Sequence, residues 1–327
     1  MSGGDPLLRV EGLRTWFPIR KGLFRRTVGH VRAVDGVDLE IRRGETLALV
    51  GESGCGKTTV GRTLLRLEEP AAGSIHFDGI DLARLSRAAM RPYRRSIQIV
   101  FQDPLASLDP RMRVRDAIAE GMQSFGIGAD EAERTARVAE LLERVQLDPR
   151  QMHRYPHEFS GGQRQRICIA RALAVDPQLL VCDEATSALD VSIQAQILNL
   201  LRKLQDELGL TYLFITHDLG VVRYLADRVS VMYLGQIVEE GPTARIFEAP
   251  HHPYTRALLD AVPSVDPAQR GVRARLVGDV PSPAVPPEAC RFHTRCPEVF
   301  DRCTREAPPA YPVGDGTSRC FLSEPSG

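Results

Sequence analysis

Short apolar runs alternate with stretches of helical periodicity along most of the chain. Strand-like runs occur at five places: VDLEI (37–41), TLALV (46–50), SIQIVFQ (96–102), LLVCDE (179–184) and TYLFITH (211–217). Between the last three runs, apolar positions recur with the helical period in VRDAIAEGMQ, RVAELLERVQ and SIQAQILNLLRKLQDELG, and Gly209 ends the last of these as a C-cap. Strands that alternate with helices favour a largely parallel sheet, so the pattern predicts an α/β fold.

Two regions depart from this alternation. The stretch from about 106 to 158 has no strand pattern, which predicts a helical insertion within a helical subdomain over about 106–167. Beyond residue 243 the amino-acid composition changes. PSPAVPP at 281–287 is stiff and extended, and the rest is rich in Pro and Cys. We therefore predict two domains, 1–243 and 244–327.

The equal numbers of acidic and basic residues argue against nucleic acid and anionic lipid as general partners. Of 327 residues, 42 are Lys or Arg and 42 are Asp or Glu, so no net field attracts nucleic acid or anionic lipid. The start, MSGGDPLLRV, lacks the apolar core of a signal peptide, and no apolar run approaches the ~18 residues that span a bilayer. We expect the chain to stay in the cytosol and to act at a membrane only through partners.

The stretch GESGCGKTT at 51–59 carries the clearest chemistry. Gly51, four residues, and then Gly56-Lys57-Thr58 is the spacing of a phosphate-binding (Walker A) loop between a strand and a helix. Glycines let backbone N–H groups converge on a polyphosphate, Lys57 would bridge the β- and γ-phosphates, and the Thr58 hydroxyl would bind Mg²⁺. The alternative is an ordinary glycine-rich turn. The predicted nucleotide-binding residues of the loop are Gly51, Ser53, Gly54, Gly56, Lys57, Thr58 and Thr59.

Further candidates follow the predicted strands in a fixed order. Asp183 ends an apolar run and can hold Mg²⁺, and Glu184 beside it could polarise an attacking water. Gln102 could ligate the metal or orient the water, and His217 could donate to the γ-phosphate. Each of these residues alone has a structural explanation. In FSGGQRQR (159–166) a Ser and two glycines open a helix, which predicts a second anion-binding helix terminus.

Together these motifs resemble the nucleotide-binding subunit of an ATP-binding cassette (ABC) transporter, which is a P-loop NTPase with a mixed sheet. The order is Walker A, Gln102, FSGGQ at 159–163, Walker B LLVCDE at 179–184, SALD at 187–190 and His217. In this family two subunits sandwich ATP head to tail. The resemblance implies that the signature residues serve the nucleotide on the partner's phosphate loop, namely Ser160, Gly161, Gly162 and Gln163.

The C-terminal part resembles one branch of that family. HPYT at 252–255, the Pro-rich strip and the Cys-rich tail are similar to ATPase subunits of dipeptide and oligopeptide importers, a group that also serves nickel and glutathione uptake. The details KGLF (21–24) and RYPHEFSGGQRQRI (154–167) look most like the dipeptide-importer subunit that pairs with a related, non-identical ATPase. The implied partners are that second ATPase, two transmembrane permeases and an extracytoplasmic solute-binding protein, at the cytoplasmic face of the cell membrane.

A second class of function stays open beside this one. Soluble ATPases of DNA repair and chromosome organisation use the same nucleotide-binding heads, and the terminal cysteines would then form a zinc finger. Those relatives usually carry long coiled coils or a basic surface, whereas here the insertion is only about fifty residues and the net charge is zero. We therefore favour a transporter motor without nucleic acid, and the sequence does not identify the cargo.

An aromatic residue after the first strand is expected to stack on adenine. The stretch TWFPI offers Trp16 and Phe17, and register with the family favours Phe17. The following stretch, residues 18–32, has five Arg or Lys and no acid. It predicts a solvated loop, or alternatively a contact with lipid headgroups or an acidic partner surface.

Four of the seven cysteines lie in the tail, separated by five, six and sixteen residues: Cys290, Cys296, Cys303 and Cys320. Such a cluster in a short, proline-stiffened segment suggests a covalent or metal staple, and a cytosolic location disfavours disulfides. Four thiolates suit Zn²⁺ or an iron–sulfur cluster. The family resemblance implies a [4Fe–4S] cluster, with zinc and free thiols as alternatives. Because the tail is far in sequence from every nucleotide motif, we expect a structural or redox-sensing role. The other three, Cys55, Cys168 and Cys182, are predicted to be small buried thiols.

Overall fold

The structure is a computed structural model that describes residues 5–22, 24–187, 189–261 and 278–325. The strands, in chain order, are β1 (Leu8–Lys21), β2 (Arg26–Ile41), β3 (Thr46–Val50), β4 (Ala72–Phe77), β5 (Ile80–Asp81), β6 (Ile97–Val100), β7 (Leu179–Asp183), β8 (Thr211–Thr216), β9 (Arg228–Tyr233), β10 (Gln236–Pro242), β11 (Tyr311–Val313) and β12 (Gly316–Ser318). The α-helices are α1 (Lys57–Leu64), α2 (Arg91–Ser96), α3 (Pro104–Ser107), α4 (Val114–Phe125), α5 (Glu131–Arg144), α6 (Gly161–Leu173), α7 (Val191–Leu208), α8 (Leu219–Leu225), α9 (Thr243–Glu248) and α10 (Pro253–Asp260).

The chain forms two compact units, neither of which is continuous in sequence. The first comprises Met1–Arg42, Thr46–Arg84 and Thr216–Gly327, and the second comprises Arg43–Glu45 and Leu85–Ile215. The phosphate loop and the cysteine-bearing tail thus belong to the first unit, whereas Glu184 and the signature motif belong to the second. Within the described part of the chain, no helix combines the length and the apolar character needed to cross a bilayer.

In the first unit, β1 is the centre of an antiparallel sheet with the order β2-β1-β4-β5. The basic stretch 18–32 is not a loop, because most of it continues β1 and β2 as a hairpin in which Lys21 pairs with Arg26. Beyond Phe17 in β1, and before Val34 in β2, no residue is fully buried, so the clear alternation of buried and exposed positions that identifies a half-buried strand is absent from this part of the sequence. Phe24 in the connecting turn is 83% exposed.

The other strands of the first unit have mixed directions. Strand β3 pairs in parallel with β9, and β10 pairs with β9 in the antiparallel sense. The tail hairpin β11–β12 then pairs with β10, where Glu239 is opposite Ser318. The core of this region joins β3, β9 and β10 to α10 and to Phe292 of the tail. The mixed sheet predicted by the family resemblance is confirmed, and the tail takes part in it.

The second unit has the parallel order expected of an α/β protein. Strands β6, β7 and β8 pair in parallel, with Ile97 opposite Leu179 and Leu179 opposite Thr211. Residues 106–158, all of which the structure describes, contain the end of α3, helices α4 and α5, two short 3₁₀ turns and no strand. Helix α7 ends at Leu208, and the αL conformation of Gly209 (φ 64°) caps it as predicted.

Candidate nucleotide site

The phosphate loop follows β3 and is pressed against the backbone of its own unit. Gly51 has φ 153°, and a Cβ there would lie 2.1 Å from the carbonyl oxygen of Met232. Gly56 has φ 111°, and its Cβ would lie 2.1 Å from the carbonyl oxygen of Ala33. Both positions therefore require glycine for space as well as for conformation. A loop so close to the backbone of other strands cannot be an ordinary surface turn.

Lys57 begins α1 and is only 4% exposed. Its Nζ donates to the carbonyl oxygens of Gly51 (2.7 Å) and Glu52 (2.9 Å), so the ammonium group is held at the concave side of the loop. Thr58 and Thr59 are half-buried in the first helical turn, and Ser53 and Gly54 are exposed at the rim; those four are the remaining predicted residues of the loop. The positive N-terminus of α1 and the ammonium group both favour an anion at this point.

In the second unit, two predicted catalytic residues lie in contact. Gln102 Nε2 donates to Glu184 Oε2 at 3.0 Å, and Ser187 closes a turn by bonding to the carbonyl oxygen of Glu184. Glu184 has φ 49°, a left-handed conformation that is costly for a residue with a side chain, and its N–H is bonded to the carbonyl oxygen of Ile215 (2.9 Å). Asp183, immediately before it, ends β7 and is 4% exposed. The backbone thus turns sharply between a buried carboxylate and an accessible one.

His217 lies in the first unit, between β8 and α8, and is exposed. The next residue, Asp218, fixes its backbone on both sides. The N–H of Asp218 donates to Thr216 Oγ1 (3.0 Å), and its carboxylate accepts from the N–H of Gly220 (2.9 Å) and thereby caps α8. The backbone that carries the His217 side chain is therefore fixed by hydrogen bonds.

The signature motif forms a capped helix start in the second unit. Ser160 is the N-cap of α6, and it exchanges bonds with Gln163 in a capping box, so the Gln163 side chain is engaged in the cap. Ser160 and Gly161 are exposed, which leaves the helix N-terminus open to an anion. A Cβ on Gly162 would lie 2.4 Å from Cγ2 of Ile193 in α7. Of the SALD motif, Ala188 lies outside the described residues.

The two candidate adenine-stacking residues differ in their surroundings. Trp16 Nε1 donates to Asp35 Oδ1 at 3.2 Å, and the guanidinium groups of Arg14 and Arg32 lie 5.8 and 5.4 Å from the centre of its ring. Phe17, one residue on, is half-buried and projects from the other face of β1 because side chains alternate along a strand. The Trp16 side chain thus already contacts three neighbouring charged side chains.

The four tail cysteines line one small apolar cavity of about 10 Å³, together with Phe292, Phe300 and Phe321. Burial raises the pKa of Cys290 and of Cys320 to about 11. Among the described side chains, no three His, Cys, Asp or Glu residues are arranged as a ready-made metal site. The other cysteines, Cys55, Cys168 and Cys182, are buried thiols as predicted.

Glu52, the second residue of the phosphate loop, is a further residue of this site that no sequence motif singles out. Its carboxylate forms a two-bond ion pair with Arg295 of the tail, 243 positions away along the chain. No local pattern could have revealed this pair, because neither residue belongs to a motif with a fixed spacing to the other.

A glycine loop between β3 and a helix that begins at a buried lysine is the phosphate site of a P-loop nucleoside triphosphatase. Residues 34–187 match the family model described as "ABC transporter", and residues 238–303 match "Oligopeptide/dipeptide transporter, C-terminal region". The sequence is 53% identical over 319 residues to a Brucella ovis protein named "Putative peptide import ATP-binding protein", with 98% of each chain covered.

Two further comparisons agree. The oligopeptide transport ATP-binding protein AppF of Bacillus subtilis is 52% identical over 307 residues, with 93% of each chain covered. Among solved structures, the dimeric ATP-binding cassette MJ0796 in a post-hydrolysis state with ADP and Pi is 29% identical, with a TM-score of 0.65 over 72% of this chain and 98% of that one. The chain therefore belongs to the ABC transporter family of ATPases, in the branch that carries the oligopeptide/dipeptide C-terminal region, and the resemblance found in the sequence is confirmed.

Proposed function

We propose that the chain is the ATP-hydrolysing subunit of an importer of dipeptides or oligopeptides, and that it powers transport through partner permeases. The observation that carries the proposal is the full-length similarity to proteins named for peptide import, which includes the C-terminal region. We place the subunit at the cytoplasmic face of the cell membrane, held there by the permeases. We also propose a domain boundary at residue 243, between the nucleotide-binding part and the C-terminal extension, residues 244–327.

In the proposed mechanism, the chain's own residues bind and orient the nucleotide. The loop N–H groups and Lys57 bind the phosphates, and Phe17 stacks on adenine. Glu184 accepts a proton from the attacking water, and its contact with Gln102 fixes the direction of the carboxylate. His217 donates a hydrogen bond to the γ-phosphate.

The proposed ligands of Mg²⁺ are all oxygen atoms, which is the donor chemistry this ion prefers. They are the hydroxyl of Thr58, the carboxylate of Asp183 and the amide oxygen of Gln102, whose amide nitrogen is already used on Glu184. When bound there, Mg²⁺ would supply positive charge to the phosphate oxygens.

We further propose that a second, homologous ATPase completes the site. The exposed, capped start of α6 would bring Ser160, Gly161 and Gly162, with Gln163 supporting them, to the nucleotide on the partner's loop. The dimeric cassettes among the solved structures support this assembly. Two permeases and a solute-binding protein complete the importer that we propose.

The test is ATP-dependent uptake of a labelled peptide into proteoliposomes that contain the chain, its partner ATPase and the two permeases, with the solute-binding protein added. We expect uptake with ATP and none with ADP. Nickel and glutathione serve as alternative cargoes. An ATPase that is stimulated by DNA and does not associate with any permease would contradict the proposal and favour the DNA-directed alternative.

We also propose that Cys290, Cys296, Cys303 and Cys320 hold a [4Fe–4S] cluster. In support, all four thiols line one cavity walled by aromatic rings, and four thiolates are the usual ligand set of such a cluster. The cavity of about 10 Å³ has to widen to accept it. Bound there, the cluster would cross-link a segment that is too short for a core of its own.

Elemental analysis of anaerobically purified protein tests this proposal. We expect about four irons and four acid-labile sulfides per chain, and we expect Cys296→Ser to lose both. The matched control is Cys168→Ser, which removes a buried thiol of the second unit and should keep the full iron content. Colourless protein with one zinc per chain would contradict the cluster and favour zinc.

A further inference from the structure

The cysteine-bearing tail reaches the phosphate loop directly. Arg295 Nη1 lies 2.6 Å from Glu52 Oε2, and Nη2 lies 3.0 Å from Glu52 Oε1, so the guanidinium group holds the carboxylate with two parallel bonds. The Arg295 side chain is 5% exposed and that of Glu52 is 28% exposed. An ion pair with this geometry and burial is stronger and more directional than a surface pair.

The backbone of Glu52 is fixed as well. Its N–H donates to the hydroxyl of Tyr254 in α10 at 2.9 Å, and its carbonyl oxygen accepts from Nζ of Lys57 at 2.9 Å. The three polar groups of this one loop residue are therefore bound to three different elements. Through Glu52, Arg295 is only one residue removed from the lysine that binds phosphate.

Aromatic packing makes the arrangement rigid. The ring of Tyr254 lies 4.7 Å from that of Tyr233 and 5.4 Å from that of Phe292, measured between centroids. Arg295 lies over the ring of Tyr233 at 5.8 Å. Phe292 also lines the cysteine cavity, so one segment of the tail contributes both to this cluster and to the cavity. Arg295 is thus held by its contact with the Tyr233 ring as well as by its ion pair with Glu52.

The ion pair of Glu52 and Arg295 also affects the charge of the phosphate loop. A carboxylate on the phosphate loop would repel the polyphosphate unless a cation neutralises it. Lys57 cannot serve both the carboxylate and the phosphates, and it contacts the carbonyl oxygen of Glu52 rather than its side chain. Arg295 supplies the positive charge that Glu52 needs.

We propose that Arg295 is a positioning residue for nucleotide binding, by which the C-terminal extension clamps Glu52 and sets the affinity of the phosphate loop. This inference rests on the proposed binding of nucleotide at that loop. It assigns the extension a role in the ATPase itself, although the two segments are remote in sequence.

The experiment is a titration of the full-length chain with MgADP, followed by calorimetry, for wild type, Arg295→Ala, Glu52→Gln and the double variant. We expect Arg295→Ala to raise Kd roughly tenfold, which is the scale of leaving one unpaired charge near a phosphate at the effective dielectric of a protein surface. In the Glu52→Gln background, Arg295→Ala should change Kd by less than about twofold, because Arg295 acts through Glu52.

The control is Arg302→Ala, which removes a tail arginine that pairs with Glu306 and Glu324 and has no contact with the loop among the described residues. It should leave Kd unchanged. Equal Kd values for Arg295→Ala and wild type, or equal effects in both Glu52 backgrounds, would overturn the clamp. If Arg295→Ala does not fold, Arg295→Lys replaces it, with a smaller rise in Kd expected because lysine cannot form the paired bonds. Absence of MgADP binding to wild type would overturn the proposed nucleotide site together with the clamp.

Discussion

The close approach between α6 and α7 gives a prediction whose size follows from the structure. Gly162→Ala would place a Cβ 2.4 Å from Cγ2 of Ile193, about 1 Å closer than an ordinary contact. Ile193 is β-branched and lies in the first turn of α7, so its side chain has little freedom to rotate away. We expect overpacking to cost about 1–3 kcal/mol, partly offset by up to about 1 kcal/mol of helix propensity gained over glycine.

A double-mutant cycle with Ile193→Ala isolates the clash. Once Cγ2 is removed, Gly162→Ala should be neutral or stabilising, so the coupling energy should be about 1–3 kcal/mol. The measurement is the free energy of unfolding in urea, followed by far-ultraviolet circular dichroism, for the four proteins of the cycle. Additive effects within about 0.5 kcal/mol would show that α6 and α7 do not meet as the structure has them.

Three further predictions concern the nucleotide. Lys57→Ala should weaken MgATP binding about a hundredfold, the scale of losing two charge-assisted bonds to phosphate, and unchanged binding in calorimetry would refute its role. Ser160→Arg should slow hydrolysis at the partner's phosphate loop and not at this chain's own, as single-turnover assays with one inactivated site can show; the reverse pattern would contradict the shared site. Phe17→Ala should weaken ATP binding roughly tenfold through lost stacking, whereas Trp16→Ala should lower the unfolding temperature through the lost bond to Asp35 and leave affinity unchanged; the opposite outcome would exchange their roles.

The nucleotide motifs could be predicted because their spacing is local. Strand β3 coincides with the apolar run 46–50, and the helix predicted to follow the loop is α1, which begins at Lys57. The runs at 96–102, 179–184 and 211–217 contain β6, β7 and β8, each shortened at one or both ends. Buried parallel strands produce continuous apolar runs, and for this reason these three strands could be predicted from the sequence.

Three features could not be predicted for physical reasons. The hairpin of β1 and β2 extends beyond the core, where neither face is fully buried, so few apolar residues mark the strands. The pair of Glu52 and Arg295 and the pairing of β12 with β10 join parts of the chain that are distant in sequence. Contacts of this kind depend on the complete fold, so no local sequence pattern links the tail to the nucleotide site.

The most direct test of the account is Glu184→Gln in the complex assembled with the partner ATPase and the permeases. Glutamine keeps the size of the side chain and removes its ability to accept a proton. We predict that MgATP affinity stays within about threefold, while turnover at this chain's site falls by at least about a hundredfold, the usual contribution of a general base, and that peptide uptake stops. Near-native turnover by Glu184→Gln would contradict the assignment of the base and the proposed mechanism of the motor.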